Sequence, residues 1–250
     1  MKKILLGAAA VVAASAMTGV AAADTADVGV HIGNIEADAG GDADFWGLSG
    51  AYSHQMDGGL VLQLDGLHDS IDLGADLGFS YGAVNLGMRN DSHALYGFAG
   101  LADWAALSVI GGGVGGQLYL GNFTVNGSVG FATSDDADLD VTALNVDGTY
   151  FFTDNFGLTG QARFGETEIG GAESEVTTLG LGAAWRPTGT NFTLNGGYQS
   201  IEGDSDEGDA WRLGVTYNIG TGSERERSQS GASFNGARNL YEETVNTLIF

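Results

Sequence analysis

The feature that most constrains this chain is a strict two-residue alternation, recurring in rows of about nine residues. Phe123-Thr124-Val125-Asn126-Gly127-Ser128-Val129-Gly130-Phe131 alternates apolar and small polar positions, and so does Trp211 to Ile219. Phe156, Leu158, Gly160, Ala162 and Phe164 form a third row against Gly157, Thr159, Gln161, Arg163 and Gly165. Leu179, Leu181, Ala183 and Trp185 form a fourth. A helix would mix the two sets on every face, whereas a strand sends alternate side chains to opposite faces. The chain reads as all-β.

The partner of the apolar face follows from the other face. A soluble sandwich turns charged residues outward, but here the second face is Gly, Ser, Thr, Asn, Gln and Ala, and the charges sit in the connections. Aromatics mark both ends of the apolar rows, as in Phe123 and Phe131, Phe156 and Phe164, Trp211 and Tyr217. A tilted strand needs roughly 9–11 residues to cross the hydrocarbon layer of a membrane. An apolar band between two aromatic belts, around a polar interior, is the pattern of a transmembrane barrel. A soluble barrel or sandwich is the alternative.

Composition agrees with an exported barrel. The 250 residues include 43 Gly, one Pro and no Cys, which excludes a disulfide framework, a thiolate metal site and a thiol nucleophile. With 32 Asp plus Glu against 9 Lys plus Arg, the chain is no nucleic-acid clamp, because phosphate binding needs clustered cations. Met1-Lys2-Lys3, the apolar run from Ile4 to Val20 and Ala21-Ala22-Ala23 before Asp24 have the form of a cleaved signal peptide over residues 1–23. Cleavage removes both lysines and leaves seven arginines and 32 acids, a formal charge of −25.

Turn residues divide residues 24–222 into about twelve strands, an even number as barrel closure requires: 27–36, 45–56, 60–69, 77–89, 94–104, 108–120, 123–133, 141–152, 156–168, 176–186, 192–202 and 209–220. The expected fold is a closed up-and-down antiparallel transmembrane β-barrel, with ten to fourteen strands as the range. Short connections at Asp57-Gly58-Gly59, Asn90 to His93, Gly121-Asn122, Asp154-Asn155 and Pro187 to Asn191 alternate with acidic ones, so the two kinds fall at opposite ends. In Phe79 to Arg89 the apolar phase slips between Tyr81 and Val84, and Ile110 to Gly116 is largely glycine.

Phase places Asp65, Gln117, Asp147, Gln161, Arg163, Arg186 and Arg212 on the inward face as candidate pore-lining residues. Pairing about Asp154 sets Asp147 opposite Gln161 and Asn145 opposite Arg163, with Asp147 and Arg163 diagonal neighbours. Such charges set a transverse field in a selective pore, or brace the wall as ion pairs. Twelve strands about 4.8 Å apart and tilted about 40° close at a backbone diameter of about 24 Å, leaving a lumen of order 10 Å unless something fills it.

Two acidic clusters, Asp135, Asp136, Asp138 and Asp140, and Asp204, Asp206, Glu207 and Asp209, form the expected acidic rim. Carboxylates at that density attract cations, and hard oxygen ligands suit Ca²⁺ or Mg²⁺, though neither cluster follows an EF-hand pattern. No other cofactor is expected. Of the four histidines His31, His54, His68 and His93, phase points His54 and His68 outward, nothing in the sequence places a serine beside either, and there is no Gly-x-Ser-x-Gly elbow. The chain reads as no enzyme. Residues 223–250 lack the alternation. Leu240, Tyr241, Val245, Leu248 and Phe250 suggest a short amphipathic helix, in a periplasmic tail that docks on the barrel mouth, partly closes it or binds another envelope component.

Leu62-Gln63-Leu64-Asp65-Gly66, Gly116-Gln117-Leu118-Tyr119-Leu120-Gly121-Asn122-Phe123-Thr124 and Tyr150-Phe151-Phe152-Thr153-Asp154-Asn155 resemble motifs of Gram-negative outer-membrane barrels of the porin kind, in particular a largely uncharacterised alphaproteobacterial family. The resemblance implies export to the cell outer membrane, contact with lipid and lipopolysaccharide, insertion by the outer-membrane assembly machinery, and small solutes rather than nucleic acid as partners. Such barrels usually end in an aromatic residue on the final strand that resembles an assembly signal. Phe250 is aromatic, but Glu242, Glu243 and Asn246 interrupt the strand pattern before it. The functional expectation is a passive, cation-preferring diffusion channel. The alternatives are a non-conducting structural or surface-binding barrel whose acidic loops bridge lipopolysaccharide through divalent cations and, in third place, an outer-membrane hydrolase using serine, histidine and an acid. The transported solute and the oligomeric state are not legible.

Overall fold

The computed structural model describes residues 24–38, 41–72, 76–105, 107–134, 137–204 and 206–250; the expected signal peptide lies outside them. Twelve strands follow in order: β1 (Asp24–Ala37), β2 (Gly41–Gln55), β3 (Leu60–Asp72), β4 (Asp76–Arg89), β5 (His93–Trp104), β6 (Leu107–Leu120), β7 (Phe123–Ser134), β8 (Leu139–Thr153), β9 (Phe156–Ile169), β10 (Ala172–Trp185), β11 (Phe192–Gly203) and β12 (Glu207–Ile219). Each pairs antiparallel with its neighbour, and β12 closes on β1 from Ala26–Ile219 to Ala37–Gly208, so no edge strand is left open. Both barrel ends of the chain, Asp24 and Ile219, lie at the short-turn end.

Alternation sorts the side chains as the sequence predicts. Leu181 is 73 % exposed, Leu95 65 % and Met88 63 %, a level of outward apolar exposure that water would not tolerate over a whole surface. Trp46, Phe131, Phe164, Tyr198 and Trp211 project outward toward the acidic-loop end, and Tyr150, Phe152, Trp185, Phe192 and Tyr217 toward the short turns. The β8–β9 register sets Asn145 opposite Arg163 and Asp147 opposite Gln161, with an irregularity at Phe152 that absorbs one residue before Thr153 meets Phe156.

The tail departs from expectation. Two helices, α1 (Glu224–Ser230) and α2 (Gly236–Ile249), follow β12, and they enter the barrel rather than docking only at its mouth. Ser223 caps α1 by accepting from the Glu226 backbone N–H, while the Glu226 carboxylate accepts from the Gly222 N–H, a variant of the capping box. At the short-turn end the Arg225 backbone N–H donates to the Asp154 carbonyl, and Gln229 donates to the Gly121 carbonyl. The chain then turns inward, and α2 runs up the lumen against β4 to β10 until Phe250 packs on Val176 and Ile201 near the acidic-loop end.

That contact explains the two irregular strands. Phe79, Tyr81, Tyr96, Phe98, Leu139 and Val141 point inward and form one apolar core with Phe234, Ala237, Leu240, Tyr241 and Val245 of the tail. The phase slip in β4 is therefore an apolar inward face with a partner to bury. The glycines are a recess: a Cβ at Gly130 would sit 3.1 Å from Leu240 Cδ2, and one at Gly111 3.0 Å from it.

Candidate functional site

The helix leans to one side of the lumen, so an open space remains along β11, β12, β1, β2 and β3. This cavity of about 470 Å³ follows β1 from Asp27 to Ile35 and separates the wall from the exposed edge of the tail. Its charged lining comprises five carboxylates, Asp27, Asp65, Asp69, Asp147 and Glu242, and four guanidiniums, Arg163, Arg212, Arg227 and Arg238. Space of this size beside fixed charges has room for small polar molecules.

Glu242 is the junction of plug and wall. Its carboxylate accepts from Arg212 at 2.9 Å, from Arg163 at 3.2 Å and, within the helix, from Arg238 at 2.8 Å. Arg212 also reaches Asp69 at 3.4 Å and lies over the Phe45 ring. Asp69 in turn accepts from His31 Nε2 at 2.6 Å. His31, Gly47 and Asp69 are opposite one another on β1, β2 and β3, and a side chain at Gly47 would collide with both polar partners.

The segment between the helices is held as firmly. Gln63 makes a paired contact with Phe234, donating to its carbonyl at 2.6 Å and accepting from its N–H at 3.0 Å. Phe234 stacks on Tyr96 with centroids 4.2 Å apart, under the Arg89 guanidinium. Arg89 donates to the Gly231 carbonyl and to Ser233.

No family model matches the sequence, and no curated protein does. Solved barrels match in shape. A KdgM porin superposes at TM-score 0.52 with 11 % identity over 76 % of this chain and 98 % of its own. The NanC porin gives 0.56, with 10 % identity over 76 % and 100 %. The β domain of the Bordetella autotransporter BrkA gives 0.51, with 13 % identity over 78 % and 99 %. In fold, the chain is a closed twelve-stranded antiparallel barrel like these outer-membrane barrels.

Within this barrel the seven residues expected to line a pore all point inward, but to different ends. Gln161, Arg212 and Asp65 line the cavity. Asp65 accepts from Gln63 and Asn85. Gln117 also borders it and donates to the Ser233 carbonyl. Arg186 does not line it: it clasps Thr190, Asn191 and Thr221 where the last turn meets the tail. Asp147 and Arg163, expected to meet diagonally, bond elsewhere. Asp147 accepts from Asn126, Asn145 and Asn235, and Arg163 donates to Gln199 and Glu242.

Of the rim, Asp135 and Asp136 lie outside the described residues; Asp138, Asp140, Asp204 and Glu207 are exposed, and Asp206 and Asp209 half-buried. Among the described residues no three His, Asp or Glu side chains converge to hold a metal ion. Phe250 ends a helix, so the final-strand aromatic position is not its place; the last outward aromatic on β12 is Tyr217. The structure sets a serine beside a histidine that the sequence did not pair, with Ser80 Oγ 2.7 Å from His68 Nδ1. The sequence carried no local sign of it, because the two residues meet only through β3–β4 register. The aromatic positions that receive the plug were signalled, by the phase slip itself.

Proposed function

We propose that this chain is an outer-membrane channel for passive diffusion of small solutes, in which the tail fills part of the lumen and the conducting path is the crevice beside it. The observation that carries the reading is the charged cavity along β1, enclosed by a wall whose outer surface is apolar. Porins of the same fold and the sequence resemblance to alphaproteobacterial barrels support an outer-membrane setting, with the short turns and the entry of the tail on the periplasmic side. Insertion by the outer-membrane assembly machinery follows from that setting.

Selectivity follows from charge. The acidic loops at one mouth favour cations over anions. Planar-bilayer recording of purified, folded protein tests both statements. Discrete current steps with a cation-favouring reversal potential in a KCl gradient are expected; an anion-favouring sign defeats the selectivity.

The extent of the apolar core between tail and wall favours a second reading, a closed structural barrel whose acidic loops bridge lipopolysaccharide through Ca²⁺ or Mg²⁺. Absence of current steps would select it.

A further inference from the structure

Four polar side chains stand in one row on the outer surface. His68 on β3, Ser80 on β4, Asp103 on β5 and Ser108 on β6 are directly opposite one another in successive strand pairs. His68 Nδ1 and Ser80 Oγ are 2.7 Å apart, and Ser108 donates to Asp103 at 2.6 Å. The edge of Trp46 meets the His68 ring at 80°, with centroids 6.4 Å apart, and so fixes the imidazole plane.

Depth and shape add to this. Trp46 belongs to the outward aromatics at the acidic-loop end, the level at which a bilayer passes from acyl chains to headgroups and at which lipid ester bonds lie. Two residues toward the middle of the barrel, Gly50, Gly66 and Gly82 face one another across β2, β3 and β4. No side chain projects from the wall at these three positions, where Gly66 is buried and Gly50 and Gly82 are half-buried, beside the exposed Leu48 and Leu101. A chain of methylenes can lie in that gap with its carbonyl end at Ser80.

We propose that the His68–Ser80 pair is an acyl-ester hydrolysing site for membrane lipids, separate from the lumen. In the first step Ser80 Oγ adds to the ester carbonyl carbon while His68 Nδ1 takes its proton. The tetrahedral oxyanion collapses, the C–O bond to the lipid alcohol breaks, and the imidazolium returns the proton to that leaving oxygen. Water then attacks the acyl-Ser80 ester with His68 again as base, releasing a fatty acid and restoring the serine. Asp103 lies across from Ser80 on the side away from His68 and is held by Ser108, so the pair acts without a third, acidic member. Trp46 is a positioning residue.

The site rests on the membrane setting proposed above and not on conduction; acyl release in micelles and current across a bilayer can each fail alone. Purified full-length barrel is incubated with mixed micelles of phosphatidylethanolamine in one arm and of lipid A in the other, and released fatty acids are quantified. A fluorophosphonate probe is applied in parallel and the modified peptide located by mass. Expected are acyl release in one arm, which assigns the lipid source, and a label on Ser80. S80A should abolish both, and H68A should lower the rate by about 10²-fold or more, with heat-modifiable gel mobility confirming that each variant is folded. No acyl release by folded wild-type protein from either lipid, or wild-type rates in folded S80A, overturns the proposal.

Discussion

Glu242 of the plug helix and Arg212 of the last strand meet at 2.9 Å across the lumen, and the same carboxylate holds Arg163 and Arg238. One acid is thus shared by three guanidiniums at the boundary between the filled and the open half of the barrel, with Glu243 also beside Arg163 and Asp69 beside Arg212.

Replacing that acid should loosen the plug. E242Q keeps the shape and removes the charge that Arg163, Arg212 and Arg238 share, while Glu243 stays beside Arg163 and Asp69 beside Arg212. Hydrogen bonds to charged groups contribute about 1.5–3 kcal/mol each. Because Glu242 and Arg212 are partly solvated, a net loss of about 2 kcal/mol of plug attachment is expected, which raises the detached fraction roughly 30-fold. Single-channel recording should show more frequent or longer high-conductance states than wild type; identical traces count against the latch.

Removing residues 223–250 should widen the path. Without helices the lumen returns to the order of 10 Å expected of twelve strands. Unit conductance should rise severalfold, provided that gel mobility shows a closed barrel. Unchanged conductance in a folded truncation would mean that the tail does not obstruct the path.

The recess at Gly130 gives a paired test. Gly130→Val places methyl groups where Leu240 now lies, an overpacking of about 1–3 kcal/mol. Shortening the partner in G130V/L240A should restore part of the loss, a compensation that double-mutant analysis reads directly. Protease sensitivity of the 231–235 segment follows the displacement: cleavage should increase in the single variant and fall back in the double. Equal sensitivity in all three proteins would place the recess elsewhere.

Gln63 tests the segment between the helices. Q63L leaves the Phe234 N–H and carbonyl without their side-chain partner, a cost of about 2–3 kcal/mol for buried groups. Hydrogen exchange at Phe234 and Asn235 should accelerate about 30-fold or more, with exchange in the β9–β10 ladder unaltered. Slow exchange at Phe234 in Q63L would show that stacking on Tyr96 alone holds this segment.

The strands, their phase and even the Asn145–Arg163 and Asp147–Gln161 pairings were legible in the sequence. A strand's alternation is local: each residue states its own face, and a nine-residue row states the solvent on both sides. The candidate site was legible only as a direction. Phase turned Arg163 and Arg212 inward, but their partner Glu242 lies 79 and 30 residues further along the chain, and no local pattern couples them. The same limit hid His31–Asp69 and His68–Ser80, which exist because neighbouring strands set residues opposite one another.

What the amino-acid order determined by itself was a cylinder of about twelve strands with an apolar outside, because alternation and turn residues act over a few residues at a time. What only the tertiary structure decided was how that cylinder is filled. The inward aromatics of β4 and β5 and the glycines of β6 and β7 look like defects of alternation until Leu240 and Tyr241 are brought against them. Closure creates an interior that no single strand possesses. Its apolar half is buried by α2, and its charged half is left to water.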